Sequence, residues 1–448
     1  MISANRTRFL GFPVVGWMLL SCVPAYAQLE TPSPARQTLD QQIPVVDVPD
    51  GAASPMSSIG PGVSGDELGI SVGAFTLFPS MELDAGYDTN VFAQATSTVA
   101  SPFALARPSL ELRSEWLNHS LRLVASGAWG FYSAAPTQNF ENYLVQADGR
   151  LDIRTDMYLT GMVAIRRSTE ALGTPNVAFA QAPTVVDSVP VQVAFYQKFN
   201  RLYYQLSASA TRFWYHDFST ITSLGLPATS RDRTDYEESL RIGYEILDGV
   251  SVWVSPSLNQ SNYVDTINAA GQQRDSRGFG AVVGGTLSLG PKSNLDGFIG
   301  LTSLTYLVGG ATTSAMTFGL TGTWNPYEPL VLRPAISRTI NASALSNYAN
   351  YVSTVIGIDF SYDIHGPWKA VGGIGYNIAD FTPAAGVPNV PPRTDTFVKA
   401  SIGLLYQLRP QFSIGPLYEY SQGVSTDTTG GGPEYSRSMF SIRLVAKR

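Results

Sequence analysis

Asp232–Asp265 reads DRTDYEESLRIGYEILDGVSVWVSPSLNQSNYVD, two alternating runs that meet at Asp248-Gly249. In the first run Tyr236, Leu240, Ile242, Tyr244 and Ile246 share one parity. Asp235, Glu237, Ser239, Arg241, Gly243 and Glu245 share the other. A period of two over about ten residues marks a strand with one apolar and one polar face. Asp-Gly between two such runs is a strong hairpin cue. The return run sets Val252, Val254, Pro256 and Leu258 against Ser251, Trp253, Ser255, Ser257 and Asn259. Each arm reaches the roughly 9–11 residues that a tilted strand needs to cross a bilayer. The stretch predicts one hairpin of a transmembrane β-barrel.

The composition agrees. Charged residues make up 14% of the 448, well under the roughly 25% of soluble domains, and aromatic residues 11%. No apolar run of about 20 residues occurs in the body of the chain, which excludes a helical membrane protein. The formal charge is −6 and there is no long basic stretch, so nothing points to nucleic acid. Metal-ligand spacing, a P-loop and a nucleotide fingerprint are absent, and no cofactor is expected. His119 and His365 fall in predicted short turns and His216 near the opposite rim. They cannot assemble one catalytic site, and the chain does not read as an enzyme.

Residues 1–27 read as a secretory signal, with Arg6 and Arg8, an apolar core from Leu10 to Leu20, and Ala25-Tyr26-Ala27 as the cleavage site. Residues 28–72 are rich in Pro, Asp, Ser and Gly without periodicity and read as a disordered periplasmic linker. Residues 73–448 then carry about eighteen strand-like segments. Their connections alternate in length: short turns such as 154–156, 200–201, 248–249 and 365–367 stand between longer links such as 91–103, 169–187, 216–233 and 381–394. Outer-membrane barrels show this asymmetry, with short periplasmic turns and longer extracellular loops. The expected fold is an all-β, antiparallel up-and-down barrel of about eighteen strands with both termini periplasmic.

Alternation assigns the faces. Val191, Val193, Ile356, Ile358, Phe440 and Ile442 are expected to meet lipid. Glu111, Arg113, Asp148, Arg150, Arg241, Glu245, Asp359, Asp363 and Arg443 are expected to line a wet lumen, and a barrel of 16–18 strands is wide enough for an aqueous channel. Aromatic residues gather near strand ends, among them Tyr87, Phe131, Tyr158, Trp214, Tyr263, Tyr306, Trp324, Tyr348, Trp368 and Phe381, and read as interfacial belts. Trp253 and Phe397 turn inward and could stack on a sugar. Arg107, Arg233, Arg274, Arg393 and Arg437 all fall near the start of strands that descend from long loops. As an extracellular rim they would attract an anionic polymer or grip lipopolysaccharide phosphate. Acids beside them, as in Arg233-Thr-Asp235 and Arg393-Thr-Asp395, favour local ion pairs instead.

The opening strand, GAFTLFPSMELDAGYDTNVF, carries Phe75, Leu77, Pro79, Tyr87, Asp88, Asn90, Val91 and Phe92. It resembles the start of a family of outer-membrane β-barrel porins associated with exopolysaccharide export operons. That resemblance implies an outer-membrane passage for a secreted polymer, working with a periplasmic polysaccharide-export protein, and carries over no catalytic residue. The alternatives are a diffusion porin for small solutes, or a structural or adhesive barrel whose lumen is plugged. Outer-membrane lipid and lipopolysaccharide are the expected surroundings.

Overall fold

The computed structural model describes residues 69–175, 182–216, 228–265, 274–289, 292–307, 312–345, 347–384, 390–427 and 432–448. The expected signal and nearly all of the expected linker lie outside them. The linker's last residues do not: Ile70–Val72 (β1) forms a short strand against Phe75–Leu77, the chain turning at Gly73 with φ 63°.

Eighteen strands follow: β2 (Phe75–Asp88), β3 (Ser101–Ser114), β4 (Ser120–Tyr132), β5 (Phe140–Arg154), β6 (Met157–Glu170), β7 (Thr184–Phe199), β8 (Leu202–His216), β9 (Arg233–Leu247), β10 (Val250–Tyr263), β11 (Ser276–Ser288), β12 (Asn294–Tyr306), β13 (Thr312–Tyr327), β14 (Leu330–Ala342), β15 (Tyr348–His365), β16 (Trp368–Pro383), β17 (Arg393–Arg409), β18 (Phe412–Ser425) and β19 (Tyr435–Lys447). Each pairs antiparallel with its neighbours in sequence, and β19 returns to β2 with Met439 opposite Asp88 and Lys447 opposite Ser80. The sheet is a closed barrel, and no α-helix occurs among the described residues. Closure removes the free edges that a spanning sheet could not satisfy in lipid.

The short turns use residues that tolerate a left-handed backbone, with Asn200 at φ 56°, Gly249 at 75° and Gly366 at 59°. A side chain at Gly249 would also meet the Ser288 carbonyl 2.4 Å away. The outer face carries the apolar parity: Val191, Val193, Ile356, Ile358, Phe440 and Ile442 are all exposed, as a lipid-facing wall requires. Tyr87, Phe131, Trp214, Trp324 and Trp368 are exposed near strand ends. Tyr158, Tyr263, Tyr348 and Phe381 are instead buried, and Tyr306 lines an internal cavity. Level along the strand alone does not decide belt membership; parity does, and these rings are on the inner side.

The wall parts at one place. β13 and β14 are in register only from Phe318 opposite Arg338 down to Tyr327 opposite Leu330. Above that level Thr312–Thr317 stays with β12, while the upper part of β14, to Ala342, stays with β15. The β14–β15 hairpin therefore leans inward across the long-loop mouth. Asn350 donates to the Tyr306 hydroxyl (3.0 Å) and to Thr313 Oγ1 (2.9 Å), and Tyr306 donates to the Ala349 carbonyl (3.2 Å). At the top of the intact β12–β13 ladder the outer-parity Thr305 and Thr312 hydroxyls bond to each other.

Candidate functional site

The lumen wall is a lattice of short-range ion pairs. Glu111 accepts from Arg113 (2.7 Å), Asp148 from Arg122 (3.0 Å) and Asp152 from Arg150 (2.6 Å), whose guanidinium also lies 3.8 Å over the Tyr158 ring. Glu245 meets Lys198 at 2.6 Å and Asp363 meets Lys369 at 3.2 Å. Asp359 is buried and leans over Gly373, where an added Cβ would lie 2.2 Å from its Oδ1. Arg443 grips Asp84 with both Nε and Nη2 at 2.8 Å. Arg241 stands 3.6 Å from Asp296. Some of these pairs lie two residues apart on one strand and others join different strands, so the nine expected residues are spread around the wall and form no single cluster.

The five arginines expected at the rim fare differently from one another. Arg107 lies seven residues into β3, opposite Glu82, because the strand begins at Ser101; its Nη1 is 2.7 Å from Asp84. Arg233 donates to Asp235 at 2.9 Å and stacks 4.8 Å over Phe213. Arg393 and Asp395 form a pair at 2.6 Å, only 2% and 0% exposed. Arg437 holds Asp88 through Nε at 2.9 Å and donates to the Tyr132 hydroxyl at 3.2 Å. Four of the five therefore face a carboxylate.

Arg274 has no acid partner among the described residues. It donates to the Ser230 carbonyl (3.1 Å) and the Ser343 carbonyl (2.9 Å) and stacks 4.6 Å over Tyr263. Burial pushes its pKa down, and the neighbouring Arg231 and Arg233 push the same way. Beside it Arg231 forms a buried fork with Glu170, both contacts at 2.7 Å. The deepest burial of polar side chains in the barrel, Asp88, Asn90, Ser101, Arg231, Ser343, Asn350, Arg393 and Asp395, is concentrated at this long-loop end.

Sequence reading missed a row across the inner wall. Tyr203, Gly243, Trp253, Gly284, Phe298 and Gly319 are successive cross-strand partners from β8 to β13. Each ring occupies the space of the next glycine's absent side chain: an added Cβ would lie 2.2 Å from Tyr203, 2.4 Å from Trp253 and 2.5 Å from Phe298. Glycine opposite an aromatic residue on one parity was the available signal. Trp253 is 5% exposed, with the Arg241 guanidinium 3.7 Å over its ring, and Phe397 is equally buried. Both rings are packed into the wall, and Trp253 also borders the cavity described next.

A cavity of about 430 Å³ lies under the inward-leaning hairpin. Ser276 and Val282 of β11 border it, and Gly278 and Gly280 beside them leave space that the Asn259 and Ser257 side chains occupy. One wall is polar, with Ser207, Ser239, Ser257, Asn259, Asp235 and Glu237; the other is aliphatic, with Leu304, Ile336 and Ile340. Arg241 and Asp296 stand 3.6 Å apart at one side. No group of three or more side chains suited to holding a metal occurs among the described residues.

Residues 64–448 match the model of the family described as "Putative beta-barrel porin 2". A search of curated proteins found no match. Among solved structures, OccAB4 of Acinetobacter baumannii aligns at 10% identity and TM-score 0.44, covering 83% of this chain and 98% of that one. OccK3 (OpdO) of Pseudomonas aeruginosa aligns at 13% and 0.42, covering 83% and 95%. The ferric enterobactin receptor PfeA of Pseudomonas aeruginosa aligns at 9% and 0.39, covering 83% and 81%.

Proposed function

The chain belongs to the Putative beta-barrel porin 2 family and is an outer-membrane barrel, and from that premise we propose that it is the outer-membrane conduit for a secreted exopolysaccharide. The observation that carries the reading is the inner wall: eighteen strands enclose a lumen lined by charges most of which are paired to one another, and by hydroxyl and amide groups. Such a wall wets a channel without holding a strongly charged solute by a net field. The opening motif's resemblance to barrels of exopolysaccharide operons supplies the cargo. The long-loop end is extracellular in this reading, and a periplasmic polysaccharide-export protein meets the short-turn end.

Deleting the gene tests it. Polymer released from the cell should fall to background while polymer accumulates in the periplasm. Unchanged release would overturn the conduit and leave a diffusion porin. A barrel with a closed lumen acting through its surface is favoured by one observation, the burial of Arg231, Arg393 and Asn350 at the mouth. Single-channel recording in planar bilayers separates it, since a plugged barrel passes no steady current.

A further inference from the structure

We infer that the cavity beneath the β14–β15 hairpin is a binding site for a neutral sugar unit, of about disaccharide size, that holds the solute inside the lumen. The inference rests on the conduit reading only for the direction of travel; the site itself stands on its geometry.

The cavity volume falls in the roughly 300–1,000 Å³ of ligand pockets. Its polar side holds buried atoms with no hydrogen-bond partner among the described residues. They are Asp235 Oδ1, Asn259 Oδ1, Arg241 Nε and Asn350 Oδ1. Arg241 is 6% exposed and Asn350 0%, so these are not surface groups served by bulk water. A buried polar atom left unpaired is costly, and a ligand that supplies both donors and acceptors relieves it. Glu237, directly opposite Asn259 across β9 and β10, adds a further acceptor with no ion-pair partner among the described residues.

The charges are largely met within the wall. Arg233 is met by Asp235 and Arg241 by Asp296, Arg274 above is bound to two carbonyls, Arg338 donates to the Thr354 hydroxyl, and Glu237 has no ion-pair partner among the described residues. Four arginines and three acids line the cavity, a formal excess of one positive charge that is spread over its walls, so recognition falls to hydrogen bonds more than to a net field. The facing wall of Leu304, Ile336 and Ile340 suits an apolar surface. Vicinal hydroxyls around an edge and C–H groups on a face are the pattern of a pyranose. Gly278 makes the room, since the Asn259 amide lies over it and an added Cβ would sit 1.8 Å from Oδ1.

Saturation-transfer NMR on the detergent-solubilised full-length barrel tests the site without needing an open channel. The probes are maltose and cellobiose, with digalacturonate as the anionic probe and spermidine as the cationic one. Saturable transfer to the neutral disaccharides is expected, and at least about tenfold weaker binding of the charged probes. Gly278→Ala, which drives Asn259 into the cavity, should weaken disaccharide binding at least about tenfold. Should that variant fail to fold, Asn259→Leu and Glu237→Gln change only the polar lining and should weaken it in the same direction. No saturable transfer, equal or tighter binding of either charged probe, or binding indifferent to all three variants would overturn the site. Binding with unimpaired polymer release after gene deletion keeps the site and removes the conduit. Lost release without binding does the reverse.

Discussion

Arg443 in the last strand and Asp84 in the first face each other directly across the barrel's closing seam, joined by two parallel contacts of 2.8 Å. Arg107 from β3 reaches the same carboxylate at 2.7 Å, and Glu82 lies 3.6 Å from Arg107 and 3.7 Å from Arg443. Two cations and two anions therefore sit together where the ends of the chain meet. Breaking a buried pair by removing one partner costs about 3–5 kcal/mol, because the other charge stays behind unpaired. Arg443→Leu should destabilise the barrel by that order, read as a fall in the urea midpoint of folding in lipid vesicles. Arg443→Lys keeps the charge but loses the two-pronged geometry and should fall between. Equal midpoints for Arg443→Leu and the parent would show that backbone pairing alone closes the seam.

The rim pairs make a matching prediction. Arg393 and Arg437 are held against Asp395 and Asp88, both fully buried. Reversing both arginines to glutamate places two acids together at each site. The expected outcome is loss of folded protein, with about 3–5 kcal/mol lost per site, in place of a shifted ion selectivity. A double mutant that folds with parental stability and altered selectivity would mean that the two groups line an open mouth.

Much of this barrel is legible in its sequence because the membrane imposes a period. Lipid accepts only the apolar parity, so Val252 and Val254 or Ile356 and Ile358 declare the outer face and with it the strands. Turns such as Asp248-Gly249 fix the hairpins. What lies inside obeys no such filter. Arg393-Thr-Asp395 shows a pair two residues apart on one face, and that pair is found. Arg443 with Asp84 joins residues from opposite ends of the chain, and no local pattern contains it. The inward lean of β14–β15 is equally invisible, because its contacts, Arg274 to the Ser343 carbonyl and Asn350 to Tyr306 and Thr313, join residues far apart in the chain. The cavity was foreshadowed only by GFGAVVGG, where Gly278, Gly280 and Gly284 share the lumen parity.

The aromatic row offers a local test of packing. Gly284→Ala would put a methyl group 2.4 Å from the Trp253 ring and 2.5 Å from the Gly297 carbonyl. Overpacking of this kind costs about 1–3 kcal/mol. A lower unfolding midpoint is expected, together with a changed tryptophan emission as the ring leaves its place under Arg241. Gly285→Ala is the control: its nearest neighbour, the Ser251 carbonyl at 3.2 Å, leaves more space, so it should cost less. Indistinguishable midpoints for the two variants would show that the ring gives way freely.

Arg274 supplies the sharpest test of how the mouth is held. Its guanidinium bridges Ser230, from the β8–β9 connection, and Ser343, at the tip of the inward hairpin. Both acceptors are backbone carbonyls, so the bridge depends on this one side chain. Above Phe318 and Arg338 the hairpin has no ladder to β13, and side-chain ties from Arg274, Asn350 and Tyr306 join its upper part to the β8–β13 side. Arg274→Met keeps a long apolar stem beside Tyr263 and removes the donors. Hydrogen bonds to a charged group are worth about 1.5–3 kcal/mol, enough to shift a hairpin between two positions by more than tenfold in population. Single-channel recordings of Arg274→Met should show a larger or more often open conductance than the parent barrel, with an unchanged unfolding midpoint of the wall. The double variant with Asn350→Ala should go further in the same direction. Parental conductance in both would mean that neither Arg274 nor Asn350 sets the hairpin's place, and that the mouth is no gate opened by their loss.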